Sequence, residues 1–185
     1  MKRFVVAAVM FFSAVAMYAA LPVVAPPADK QKDMLKSSDP KLAANKKLAY
    51  DFFRVLLRGR RLDRASEFMH PDYMQHNPNA ETGMAGFVAY FSALPGGPQA
   101  IPDTLDGLIA IQAEGDYVTL SFVREYDDPT APGKKYTTTW FDMLRISNGK
   151  VAEHWDNATK GAVGPAAAAA QKGAVTSQKD KGKSK

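Results

Sequence analysis

The chain is 185 residues long, which suits one domain once non-globular ends are set aside. It contains no cysteine, which excludes disulfide staples, thiol catalysis and thiolate metal sites. The formal charge of +5 belongs to the ends: Lys160 to Lys185 carries six lysines against one aspartate, Lys2 and Arg3 open the chain, and Asp29 to Thr159 is near −2. A nucleic-acid partner is excluded on those charge grounds.

Residues 1–28 have the shape of an export leader, with Met1-Lys2-Arg3 ahead of an uncharged run from Phe4 to Ala20. Ala14-Val15-Ala16 resembles a cleavage site. The apolar run continues to Ala25 and nearly reaches the roughly 20 residues of a membrane anchor. Pro22, Pro26 and Pro27 would break the end of such a helix, which favours a cleaved signal. The expectation is a periplasmic or secreted protein, with an uncleaved N-terminal segment as the alternative and the sole membrane contact. Residues 29–40 read as a polar linker, 41–160 as the folded domain and 161–185 as a disordered lysine-rich tail.

Within the domain, Asp39-Pro40 forms an N-cap with proline at the first helical position. Leu42, Leu48, Ala49, Phe52, Phe53, Val55, Leu56 and Leu57 supply an apolar helical stripe that stops at Gly59. A short helix from Leu62 to Phe68 precedes a turn at His70-Pro71, and Tyr73 to Asn77 is a short strand. A third helix, Gly83 to Leu94, ends at Pro95-Gly96-Gly97-Pro98. The period then changes to two, giving strands Leu105 to Ala113, Tyr117 to Tyr126, Thr137 to Ile146 and Val151 to Ala158. Helices first and a meander afterwards give an α+β fold, with helices over one face of a curled antiparallel sheet.

The last two strands form a hairpin around Asn148-Gly149, the pair favoured by a type I′ turn. It is dense in chemistry: Trp140, Asp142, Arg145, Glu153, His154, Trp155 and Asp156. A regular ladder pairs Arg145 with Ala152, Met143 with His154 and Asp142 with Trp155. That register puts Trp140, Asp142, Leu144, Glu153 and Trp155 on one face, the more apolar and hence the inner one. His154 and Asp156 fall with Arg145 on the other, unless a bulge intervenes. On the short strand, Tyr73, Gln75 and Asn77 alternate with Met74 and His76, a hydrogen-bonding set suited to a carbonyl or enolate oxygen.

Three stretches carry a resemblance: Tyr73-Met74-Gln75-His76-Asn77-Pro78, Gly83-Met84-Ala85-Gly86-Phe87, and the hairpin segments Phe141 to Arg145 and Asn148 to Asp156. Together they resemble the SnoaL-like polyketide cyclases of the NTF2-like superfamily, over roughly Lys41 to Ala158. The resemblance implies a cone-shaped α+β barrel, often homodimeric, with a pocket between the helices and the concave sheet face. It also implies intramolecular aldol condensation without metal or organic cofactor, and it puts the acid/base role on Asp142.

An aldol closure needs a base beside a carbonyl and a donor for the developing oxyanion. Desolvation among Trp140 and Leu144 would make Asp142 such a base, whereas an ion pair with an arginine such as Arg124 would make it structural. His76 is the second catalytic candidate. Tyr73, Gln75, Asn77, Trp140, Glu153, His154, Trp155 and Asp156 are the candidate substrate-binding residues. His70, His76 and His154 lack metal-ligand spacing, so no metal is expected. The ligand expected is a small apolar or carbonyl-containing molecule. A non-catalytic binding module and a structural dimer component are the competing readings.

Overall fold

The computed structural model describes residues 21–161, and the expectations for the leader up to Ala20 and for most of the lysine-rich tail fall outside them. Helix α1 spans Gln31–Met34, α2 Pro40–Phe52, α3 Ala65–Phe68 and α4 Met84–Ser92; strand β1 is Met69–Gln75, β2 Leu108–Glu114, β3 Tyr117–Asp127, β4 Lys135–Ser147 and β5 Lys150–Asp156. The sheet order is β1-β5-β4-β3-β2, an open, curled sheet. All its pairings are antiparallel except β1 with β5, which is parallel and irregular where Pro71 interrupts the edge strand. Among the described residues no helix is long and apolar enough to cross a membrane.

Helix α2 starts as its sequence dictates, the Asp39 carboxylate accepting from the Lys41 N–H at 2.7 Å with Pro40 at the first position. After Phe52 the winding widens into a π-helical turn, Phe53–Arg58, which lays Phe53, Val55 and Leu56 on the sheet. Gly59 ends it because a Cβ there would lie 2.9 Å from the Val55 carbonyl and 3.0 Å from Ile101. Arg60 follows at φ 49° and donates to the carbonyls of Phe91, Leu94 and Pro95 at the end of α4. A cation on those carbonyls also suits the negative end of the helix.

The segment expected as a linker is instead docked. Gln31 is 3% exposed; its amide nitrogen donates to the Leu105 carbonyl at 2.8 Å, and its oxygen accepts from the Leu105 N–H at 2.9 Å and the Tyr50 hydroxyl at 2.7 Å. A buried amide that saturates a strand entry and a tyrosine is a structural tie, hidden in sequence by its polar neighbours.

The hairpin turn forms as read, with Asn148 at φ 49°, Gly149 at φ 70° and Ser147 facing Lys150. The ladder beyond it does not. Ile146 faces Val151, then Ala152 is skipped, so that Arg145 faces Glu153, Leu144 faces His154, Met143 faces Trp155 and Asp142 faces Asp156. This bulge adds one residue to β5 and exchanges the faces of everything after it.

Candidate active site

The bulge decides which side chains meet. On β4, Trp140, Asp142, Leu144 and Ile146 point to the concave side and are buried. Facing them across the shifted ladder come His154 and Asp156, which a regular register would have turned outward. Glu153 and Trp155 go to the outer face. Glu153 accepts there from Arg145 at 2.6 Å and lies 3.2 Å from His76, whose ring stacks on Trp155 at 4.6 Å. His76, Glu153 and Trp155 are therefore outside the pocket they were expected to line, while Tyr73, Gln75 and Asn77 follow the strand's alternation inward.

Part of the inward set lines a cavity of about 60 Å³ between α2, α4 and the sheet; Trp140 and Asp156, also expected there, are not in its wall. Phe52, Phe53, Leu57, Phe87, Tyr90 and Phe91 form its apolar wall; Tyr73, Gln75, Asn77, Asp142 and His154 form its polar one. A larger surface hollow of about 520 Å³ beside Arg60, Asp63 and Gln99 holds none of the candidate residues.

The polar wall is a directed chain. The Asn77 N–H donates to Gln75 Oε1 at 3.0 Å, which fixes that atom as the oxygen. His154 Nδ1 lies 2.7 Å from the same oxygen and must therefore carry a proton. Its Nε2 lies 3.0 Å from Asp142 Oδ1, so one further proton is shared between imidazole and carboxyl. Asp142 Oδ2 is buried and has no hydrogen-bond partner among the described residues. Gln75 Nε2 donates to the Tyr73 hydroxyl at 3.0 Å. Burial first, and then the charges of Asp142 and Asp156, pushes that phenol above its ordinary range, so it keeps its proton. Among the described residues no acceptor takes it.

Asp156 is anchored beside this chain, Oδ2 accepting from Asn77 Nδ2 at 2.7 Å and Oδ1 from the Ala158 N–H at 3.0 Å. Ligand atoms of Asp142, His154 and Asp156 lie within 4.8 Å of one another, the one set of described residues that could hold a metal ion. An ion held by His154 Nε2 there would take that atom from its hydrogen bond with Asp142.

Two arginines lie beyond Asp142 on the concave side. Arg124 does not pair with Asp142: it sits over the Trp140 ring at 5.6 Å, and it and Arg58 both lie about 6 Å from the Phe122 ring. Arg58 was a missed residue, its place set by the π-helical turn. The apolar α2 and α4 residues were legible as core but not as cavity wall.

The SnoaL-like domain family matches residues 49–154. Solved structures with a similar chain include a proposed polyketide cyclase from Acidithiobacillus ferrooxidans, at 17% identity and TM-score 0.45, covering 65% of this chain and 89% of that one. A proposed SnoaL-like polyketide cyclase from Jannaschia Sp. CCS1 stands at 17% and 0.44, covering 66% and 91%. A proposed ketosteroid isomerase from Kribbella flavida stands at 19% and 0.44, covering 65% and 84%. No curated protein matches the sequence. The family match spans more than half of the chain, from α2 to the histidine of the polar wall, and this α+β cone belongs to the SnoaL-like domain family of the NTF2-like fold.

Proposed function

We propose that the protein is an exported, cofactor-independent acid/base catalyst, an aldol cyclase or isomerase acting on a small carbonyl compound. The observation that carries this is Asp142 in the wall of a largely apolar cavity, its Oδ2 buried and without a hydrogen-bond partner among the described residues while Oδ1 is held by His154. With Asp142 ionised and His154 protonated, Oδ2 is a base that removes the proton next to a carbonyl. His154 Nε2–H steadies the carboxylate at Oδ1, and Gln75 keeps the ring in place through Nδ1–H. The Tyr73 hydroxyl, with a proton that no described residue accepts, stabilises the developing enolate oxygen. Return of the proton from Oδ2 to the new oxygen or to carbon closes an aldol addition or an isomerisation and leaves the pair as it began.

The cavity is far below the roughly 300 Å³ of a usual ligand site. A substrate must therefore displace Tyr90, Phe91 or Leu57, which restricts the class to small molecules. The same cavity supports the second reading, a binding module for a small apolar ligand. A screen of small dicarbonyl compounds by mass spectrometry tests the first: wild type turns over at least one and Asp142→Asn none. Retention of an apolar ligand, with wild type and variant equally inert, favours the second.

Export rests on the charged-then-apolar leader. A homodimer through the outer sheet face belongs to the same proposal, since Phe141, Tyr117 and Met74 are 50%, 44% and 42% exposed there.

A further inference from the structure

Arg58 and Arg124 stand 66 positions apart in the chain, yet the fold sets both guanidinium groups against one ring, Phe122, at 5.9 Å and 6.0 Å. Arg124 also covers Trp140 at 5.6 Å. Among the described residues neither makes a hydrogen bond or an ion pair, and the Nε atom of each is buried with no acceptor. This is unusual, because the buried donors of a guanidinium normally meet a carboxylate or carbonyls. Burial lowers the proton affinity of both, and Arg58 lowers that of Arg124 further; the charges of Asp106 and then Asp142 raise that of Arg58, and the charge of Asp142 raises that of Arg124. Two cations are thus held next to the acid/base pair, with the charges of Asp106 and Asp142 acting on them from a distance and no carboxylate bonded to either among the described residues.

The distance to that pair follows from the strand. Trp140 and Asp142 are two residues apart on one face of β4, about 7 Å along the strand. An anion on Arg124 over Trp140 would lie on the same face of β4 as Asp142. A planar carboxylate suits the forked donors of the arginines. We propose that Arg58 and Arg124 bind a carboxylate of the substrate, which is then a small keto acid whose anionic end lies on the arginines and whose acidic C–H bond faces Asp142. This rests on Asp142 as the base, but its binding half can be tested alone.

The chain has only two tryptophans, so Trp155→Phe leaves Trp140 as the single indole reporter, beneath Arg124. Its fluorescence is titrated with acetoacetate and, separately, with the neutral methyl ester, using the full chain. Expected is saturable quenching by acetoacetate, at least tenfold weaker binding of the ester, and a tenfold or greater loss of acetoacetate affinity in Arg124→Gln and Arg58→Gln. Arg124→Lys should recover part of that loss, which separates charge recognition from unfolding. Equal affinity for ester and anion, or full acetoacetate affinity in folded Arg124→Gln and Arg58→Gln, would overturn the proposal. Asp142→Asn should keep acetoacetate binding while abolishing chemistry. Anion binding without turnover in wild type would therefore overturn the catalytic reading and leave the subsite standing.

Discussion

At the scale of single residues, the site depends on the direction of a few protons. Gln75 Oε1 uses its two lone pairs to accept from both Asn77 and His154, while Nε2 donates to the Tyr73 hydroxyl. Tyr73→Phe removes the donor proposed for the oxyanion and spares the ring that packs on Phe87 at 6.0 Å. It should lower kcat by about 100-fold with little change in KM, as loss of one oxyanion donor does. Stability should change by only about 1 kcal/mol, measured by urea unfolding. A large rise in KM at constant kcat would make Tyr73 a plain binding group instead. That Tyr73, Gln75 and Asn77 share a face was legible because a strand alternates; which face turns inward was not, and His76, expected at the pocket, lies outside it. The place of His154 was not legible, since Val151-Ala152-Glu153 has no glycine to announce a bulge, and one skipped residue reverses the face. Arg58 and Arg124 were illegible as a pair, because only the π-helical turn and the sheet bring them to the same ring.

At the scale of elements, two parts of the chain do more than their sequence suggests. Helix α1 is short and polar, yet Gln31 saturates Leu105 and Tyr50. Gln31→Ala strands the Leu105 N–H and leaves the Leu105 carbonyl and the Tyr50 hydroxyl only long 3.3 Å bonds to Leu108 and Asp103, and should cost about 3 kcal/mol. With a urea m-value of about 2 kcal/mol/M, the midpoint falls by about 1.5 M. A midpoint within about 0.3 M of wild type would mean that α1 is dispensable. On the outer side of β5, burial raises the proton affinity of Glu153, but the bonds from Arg145 and His76 outweigh it and hold the carboxyl below its ordinary 4.5. A lowered folded value stabilises the protein above the unfolded pKa, and this contribution is lost as pH falls through the folded value. Glu153→Gln should therefore flatten the fall in stability below about pH 4.5, by about 1 kcal/mol or less for a pair at the surface. An unchanged acid limb in thermal melts would contradict that.

At the scale of the molecule, the order of elements and the change of period from helical to two made the α+β cone readable, and the family match follows the same stretch. The sequence also marked Asp142 for the inner face, because Trp140, Leu144 and Ile146 share its parity on β4. The outer face is where a second copy would dock. Phe141→Asp should convert a dimer seen by light scattering into a monomer without loss of fold; a monomeric wild type would contradict the dimer. The central claim, a base at Asp142 Oδ2, is tested most directly by proton abstraction itself. Deuterium incorporation next to the carbonyl of acetoacetate and of small neutral ketones, followed by NMR in heavy water, reads that step without knowledge of the natural product. Exchange by wild type above the buffer rate, lost in Asp142→Asn, is the predicted result; equal exchange in both proteins would contradict the account.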